Sequence, residues 1–454
     1  MPTVVNLDIL EQQVCSALAA NDLDGLRNLL AAQHPADIAD VIDRLDDEEQ
    51  MIVFRLLGPA QAADVLDETS FDATRELIAR LPPDEVGDLL DLMPPDDVAE
   101  ILGEDVPEQQ QTLLAAMEPE DAAEVRTLLT YPPRSAGRLM TEKYARVGPD
   151  MTAAEAIAHL RQIDPTLETL RDLYALDTEE RLIGAVSLRE VIMAPPEQRL
   201  ADVMHTQLVT VTPETDQEEV ARLVSQYDLL SLPVATPDGR MLGIVTVDDV
   251  IDVLVQEGTE DVLRLGAVEG GATGESYFST PILRAVRRRV GWLLVLFLTG
   301  TITINVLGRF ERELDQVVAL SFFIPLLIGT GGNTGAQTVS TMVRGMALGE
   351  IRLRDAWRVI GRELGSGLLL GLLLAVVALG FAMLLGHTFT LAAVVALSII
   401  AVCTWANTIG AVVPLIAQWA GLDPALVSAP LITTLVDATG LAIYLLIATT
   451  LLGL

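Results

Sequence analysis

The sequence predicts a multidomain protein: an acidic all-α superhelix over residues 1–134, a tandem α/β pair over 135–257, and an α-helical membrane domain with five transmembrane helices over 284–454. A connecting helix and linker fill 258–283. Three observations predict this. First, the 454 residues carry a net charge of −35, yet residues 281–454 hold 11 Lys and Arg against 8 Asp and Glu, which leaves −38 on residues 1–280. Second, a twelve-residue period runs through 34–129, and third, a longer repeat runs from about 137 to 257. So acidic a chain is not expected to bind nucleic acid.

From His34 onward there are eight blocks of twelve, with Pro second in six of them: Pro35, Pro59, Pro83, Pro95, Pro107 and Pro119, against Asp47 and Phe71. Pro is tolerated in a first helical turn, where its missing N–H costs nothing, and the acids that follow complement the helix dipole. The eighth residue is always apolar (Val41, Val53, Val65, Leu77, Leu89, Ile101, Leu113, Val125), and the ninth fails only at Arg126. Each block therefore predicts one short helix. Helices this short cannot bury a stripe alone, so the eight are expected to stack into a solenoid with an acidic outer face.

The longer repeat aligns Leu139-Met140, Val147, Pro149 and Glu155 with Val203-Met204, Val211, Pro213 and Glu219, 64 residues on, giving copies at about 135–200 and 201–257. Each ends in a β-type run, Gly184-Ala185-Val186-Ser187 before Glu190 and Gly243-Ile244-Val245-Thr246 before Asp249. β-branched runs between amphipathic helices indicate a small α/β unit used twice. The pattern resembles paired CBS domains, which often bind adenine nucleotides. That resemblance makes Thr246 and Asp249 candidate ribose-binding residues for ATP; the first copy has Ser187 and Glu190 instead. Val247 to Val268 reads as a connecting helix, and Gly270, Gly271 and Gly274 are expected to loosen the chain after it.

Charge-free stretches run from Val290 to Gly308, Gln316 to Val343 and Leu364 to Leu422. The last is more than twice the ~20 residues that one span needs, and Gly386, His387 and Thr388 split it into Leu364–Leu385 and Leu391–Gln418. Pro424–Leu454 supplies the fifth span. Arg284, Arg287, Arg288 and Arg289 precede the first span, and Arg344, Arg352, Arg354, Arg358 and Arg362 separate the second from the third. The positive-inside rule places both clusters in the cytoplasm and the C-terminus outside. Cys15 and Cys403 suggest no disulfide framework, which fits a reducing cytosol. The N-terminal residues lack a signal-peptide pattern, so the acidic part is expected to stay in the cytoplasm.

In the second span, four glycines fall within seven residues, Gly329 to Gly335, after Pro325 and around Asn333. No β-strand precedes them, which sets aside a dinucleotide-binding loop. They serve either close helix packing or irregular backbone lining a water-filled cavity, and their density favours the cavity. Asp437 is the deepest ionisable residue of any span. It either faces an aqueous path or is protonated and bonded to a neighbouring helix. Hard oxygen ligands suit Mg²⁺, which gives up its waters reluctantly.

Together the segments Pro325–Gln337 (PLLIGTGGNTGAQ) and Ala429–Leu441 (APLITTLVDATGL) resemble the MgtE family of magnesium channels, and the resemblance extends over nearly the whole chain. It implies a homodimer in the lipid of the cytoplasmic (inner) membrane, a non-enzyme, with Asp437 as pore carboxylate and Gly329, Gly332, Thr433 and Gly440 along the Mg²⁺ path. It also implies regulatory Mg²⁺ ligands. The candidates are Asp64, Asp96 and Glu100 on the superhelix, Glu218, Asp228, Asp249 and Asp252 on the CBS pair, and Glu257, Glu260 and Asp261 on the connecting or plug helix. Ala336 and Ala429 depart from the family pattern, which has Asn at both. An aspartyl protease would need a second deep carboxylate. A secondary transporter and a nucleotide-sensing receptor remain the alternatives to a channel closed by high cytosolic Mg²⁺.

Overall fold

The chain opens, among the described residues, with helices α1 (Leu7–Ala19), α2 (Leu23–Leu30), α3 (Pro35–Ile42), α4 (Asp47–Phe54), α5 (Pro59–Glu68), α6 (Phe71–Arg80), α7 (Pro83–Leu90), α8 (Pro95–Gly103), α9 (Pro107–Ala116) and α10 (Pro119–Leu129). The structure is a computed structural model and describes residues 6–103, 106–163, 167, 169–269, 280 and 282–454. Gly270, Gly271 and Gly274 lie outside the described residues. The chain divides into two compact units, one built mainly from residues 1–257 and the other from 258–271 and 281–454.

Each twelve-residue block forms one helix, α3 to α10. The eighth residue of every block is at most 9% exposed, and the apolar ninth residues are buried beside it, so the two positions together supply much of the solenoid core, each large side chain worth about 1.5–3 kcal/mol of burial. The packing period is nonetheless 24: α3, α5, α7 and α9 form one row and α4, α6, α8 and α10 another. Hydrogen bonds follow the same count. Asp43 accepts from the Ser70 amide at 3.3 Å, and Asp91, two double blocks on, accepts from the Glu118 amide at 3.0 Å. At the place between them, the residue equivalent to Ser70 and Glu118 is Pro94, which has no N–H to offer Asp67.

The tandem pair follows α11 (Ala136–Leu139). The first copy holds β1 (Tyr144–Val147), α12 (Ala153–Leu160), β2 (Thr169–Leu176), β3 (Leu182–Ser187) and α13 (Leu188–Met193); the second holds α14 (Gln217–Tyr227), β4 (Ser231–Ala235) and β5 (Met241–Thr246). β1 pairs parallel with β2 and β2 antiparallel with β3, while β4 and β5 form the second sheet. The chain entering each copy crosses to the other's last strand: Thr141 bridges Ile244, and His205, 64 residues on, bridges Ala185. Those crossings need the repeated glycines. A Cβ on Gly184 would lie 2.6 Å from the Met204 sulfur, and one on Gly243 would lie 2.5 Å from the Thr141 carbonyl oxygen. Thr246 leads directly into α15 (Val247–Leu265), the connecting helix.

The second unit contains α16 (Ile282–Arg309), α17 (Glu311–Gln316), α18 (Ala319–Ala347), α19 (Ala356–Leu384), α20 (Phe389–Trp419) and α21 (Ala429–Leu452). Among the described residues four helical stretches are long and apolar enough to cross a membrane: Ile282–Arg309, Leu353–Leu384, Phe389–Trp419 and Ala429–Leu452. α18, at 29 residues, is equally long but more polar, because glycines, threonines, Asn333 and Gln337 occupy its middle. Gly386, at φ +83°, ends the turn after α19, and Thr388 caps α20, so the long apolar run breaks where its sequence suggested. The glycine segment differs from expectation. α18 is helical throughout, with Pro325 near its start, and no irregular backbone interrupts Gly329–Gly335.

Candidate ion path and carboxylate cluster

Close packing explains most of those glycines. A Cβ on Gly331 would lie 2.6 Å from Val402 of α20, and one on Gly335 would lie 2.9 Å from Ile432 of α21. Gly332 lies against the candidate site itself: its Cβ would meet Thr433 Cγ2 at 3.0 Å and Asp437 Oδ1 at 3.3 Å. Gly332, Thr433 and Asp437 are therefore brought together where α18 meets α21. Gly440 packs against Val402, whereas Gly329 has nothing within 4 Å and stands on an open face.

The side chains around Asp437 are already satisfied. Thr433 donates to the Ala429 and Pro430 carbonyls at 3.0 and 2.9 Å, and Thr434 donates to Pro430. Thr439 accepts from the Trp405 indole at 2.8 Å. Asp437, half-buried, makes no hydrogen bond or ion pair among the described residues, so no neighbouring helix neutralises it. Elsewhere in this unit, Asn407 donates to the Glu363 carboxylate at 3.2 Å. Arg264 of α15 holds both Glu260 and Asp423, which commits Glu260 to an ion pair. Asp261 lies half-buried on the same helix.

In the first unit the acids converge on a pair that the sequence did not single out. Asp67 and Asp97 are hydrogen-bonded to each other, with Glu68, Glu100 and Asp252 also acting on Asp67, and Asp96 and Asp249 on Asp97. Loss of solvent and then neighbouring negative charge push the Asp97 carboxyl well above the usual range. Burial raises Asp67 too, but less, because the hydrogen bond from Asp97 favours its ionised form. Four of the predicted residues, Asp96, Glu100, Asp249 and Asp252, thus surround an unpredicted carboxyl pair. Asp67 could have been found by reading the blocks in twos, since Pro94 removes the amide that its position otherwise meets.

The remaining candidates are dispersed. Asp64 is exposed on α5, Asp228 ends α14 in the left-handed conformation at φ +52°, and the Glu218 amide donates to Asp216 at the start of that helix. Glu257 accepts from Gln217 at 2.6 Å. Among the described residues no three His, Cys, Asp or Glu side chains form a closed metal cage. The arrangement suits a hydrated ion, which can meet spaced carboxylates through its own waters.

The two CBS copies differ at the ribose-type motif. Thr246 donates its amide and hydroxyl to Asp249. In the first copy Ser187 bonds one oxygen of Glu190 at 2.9 and 2.8 Å, and the other oxygen takes His205 at 2.9 Å. His205, missed in the sequence, arrives through the crossing at Ala185. Both Glu190 oxygens are therefore occupied.

Comparison with known proteins agrees with this layout. A family model described as a divalent cation transporter matches residues 324–447, the MgtE intracellular N domain matches 33–134, and the CBS domain matches 136–197 and 200–256. The magnesium transporter MgtE of Thermus thermophilus is 44% identical over 328 residues, 72% of each chain. The magnesium transporter MgtE of Bacillus subtilis is 36% identical over 325 residues, 72% of this chain and 71% of its own. A crystal structure of the cytosolic domain of the Mg²⁺ channel MgtE in complex with ATP, 39% identical, covers 54% of this chain and 99% of its own at a TM-score of 0.51. With relatives this similar over two thirds of its length and all three segments matched in order, the chain belongs to the MgtE family of divalent cation transporters.

Proposed function

We propose that this chain forms a Mg²⁺-selective channel that admits the ion down its electrochemical gradient and closes when cytosolic Mg²⁺ is high. The observation that carries the proposal is the Asp437 carboxylate, without a partner among the described residues, beside Gly332 and Thr433 in an otherwise uncharged α21. Such a carboxylate costs at least about 2.5–3.5 kcal/mol to insert, and a passing hydrated cation offsets that cost. In this reading α18 is the fifth span and its polar middle lines the path. A homodimer sets Asp437 opposite a second copy, the acidic part lies in the cytoplasm, and the C-terminus is outside the cytoplasmic membrane.

Closure follows from the crowded acids. Without divalent ions the carboxylates around Asp67 and Asp97 repel, and Mg²⁺ bound among them favours the compact state. The difference in Mg²⁺ affinity between the two states is the free energy available for closing. Asp96, Glu100, Asp249 and Asp252, which act on that pair, extend it as secondary ligands. ATP, bound by the related cytosolic domain, is assigned here to the second CBS copy through Thr246 and Asp249.

Reconstitution into liposomes with single-channel recording tests the proposal. Steady Mg²⁺ conductance that disappears in Asp437→Ala supports it. Uptake at a turnover-limited rate without unitary currents replaces it with a secondary transporter, and absence of ion movement replaces it with a receptor.

A further inference from the structure

α19 carries two glycine pairs of the same spacing with opposite surroundings. Gly367 and Gly371 face α20: a Cβ on the first would lie 2.9 Å from the Asn407 Cβ, and one on the second would lie 2.8 Å from the Ile400 Cα. Gly361 and Gly365 have nothing within 4 Å, so packing within the chain does not explain them. Beside them stand Arg358 and Arg362, one turn apart on one face, and Trp357, 85% exposed. Both arginines are exposed, and neither meets a carboxylate among the described residues.

Length fixes their depth. α19 has 29 residues, about 43 Å at 1.5 Å each, against a hydrocarbon core of about 30 Å. The uncharged stretch Leu364–Leu384 is alone about 31 Å long. It fills the core and leaves Trp357, Arg358 and Arg362 at headgroup level, where tryptophans favour the interface.

We infer that the start of α19 binds an anionic phospholipid. The headgroup phosphate meets Arg358 and Arg362, and one acyl chain descends over Gly361 and Gly365 toward the exposed Leu368 and Leu372. A second copy is the weaker occupant, because a two-fold contact on this face sets Arg358 and Arg362 against their own equivalents. The inference depends on α19 crossing a bilayer and not on which ion is carried.

Full-length protein in nanodiscs of mixed phosphatidylcholine and phosphatidylglycerol, analysed for lipid retained after transfer to detergent, tests it. Wild type is expected to retain phosphatidylglycerol preferentially. R358Q/R362Q weakens retention about fivefold per arginine, while R287Q/R289Q, removing equal charge from α16, leaves it unchanged. G361L keeps both charges but fills the groove and also lowers retention. Equal retention of the two lipids by wild type overturns the inference without reference to any variant. An equal loss in R287Q/R289Q, or full retention in G361L, overturns it in favour of diffuse attraction.

Discussion

Asp437 and the Asp67–Asp97 pair present the same functional group in opposite company. Asp437 stands among apolar and hydroxyl side chains, with no partner among the described residues, while Asp67 and Asp97 share a hydrogen bond among further acids. A conducting site must release its ion as readily as it takes it, and one carboxylate facing a hydrated ion provides weak attraction. A sensing site must change shape when occupied. Crowded carboxylates supply that change, because their repulsion is relieved only when protons or cations arrive.

The largest expected effect tests the lone site. At an effective dielectric of about 20, one unit charge at about 4 Å contributes about 4 kcal/mol. Asp437→Ala should therefore lower Mg²⁺ flux in liposomes by at least about a hundredfold, with the protein still eluting as a folded oligomer. Asp437→Asn should be intermediate, because its amide oxygen still accepts from the ion's waters. Undiminished current in the alanine variant would remove Asp437 from the path.

A smaller effect is expected in the crowd, where no single group dominates. Converting Asp96, Glu100 and Asp252 to Ala should move closure to several-fold higher Mg²⁺ and leave the open conductance nearly unchanged. Asp67→Asn with Asp97→Asn should do the same through two residues. Closure at the parental concentration in both variants would make these acids a solvated surface and place the sensor elsewhere.

These expectations differ in how far they were legible in the sequence. The eight solenoid helices were, because Pro at the first helical position and apolar residues at the eighth act within each block. The pairing of alternate helices was not, since nothing inside a block marks its partner, and the Asp67–Asp97 contact went unseen with it. In the membrane unit Asp437 stood out as an isolated charge, yet the glycines around it suggested broken backbone. Gly331, Gly332 and Gly335 instead lie in an unbroken helix and serve close packing, since Val402, Thr433 and Ile432 approach where a Cβ would stand.

Asp97 also gives the comparison a pH dependence. A carboxyl raised in the folded state leaves the fold most stable when it is protonated, and stability falls as pH rises from its unfolded value toward its folded one. Without Mg²⁺, the first unit of the full-length protein should thus melt progressively lower from about pH 5 to about pH 8. Mg²⁺ should flatten that slope, and Asp97→Asn should flatten it without Mg²⁺, with a gain on the order of 1–3 kcal/mol at the alkaline end. A variant whose melting tracks the parent at every pH would show that Asp97 ionises without strain.

The most localised effect concerns Asp249, which belongs to the crowd and to the nucleotide motif together. A carboxylate that accepts from a ribose contributes a charge-assisted hydrogen bond of about 1.5–3 kcal/mol, so Asp249→Asn should weaken ATP binding by about tenfold or more. Glu190→Gln in the first copy should leave it unchanged, because Ser187 and His205 already occupy both Glu190 oxygens. The two uses of Asp249 separate by titration. If its main work is in the acid cluster, Asp249→Asn shifts the Mg²⁺ needed for closure while calorimetry finds ATP affinity intact. If it holds the ribose, affinity falls with Mg²⁺ fixed. An equal loss on changing Glu190 would mean that nucleotide displaces His205 and that both copies bind.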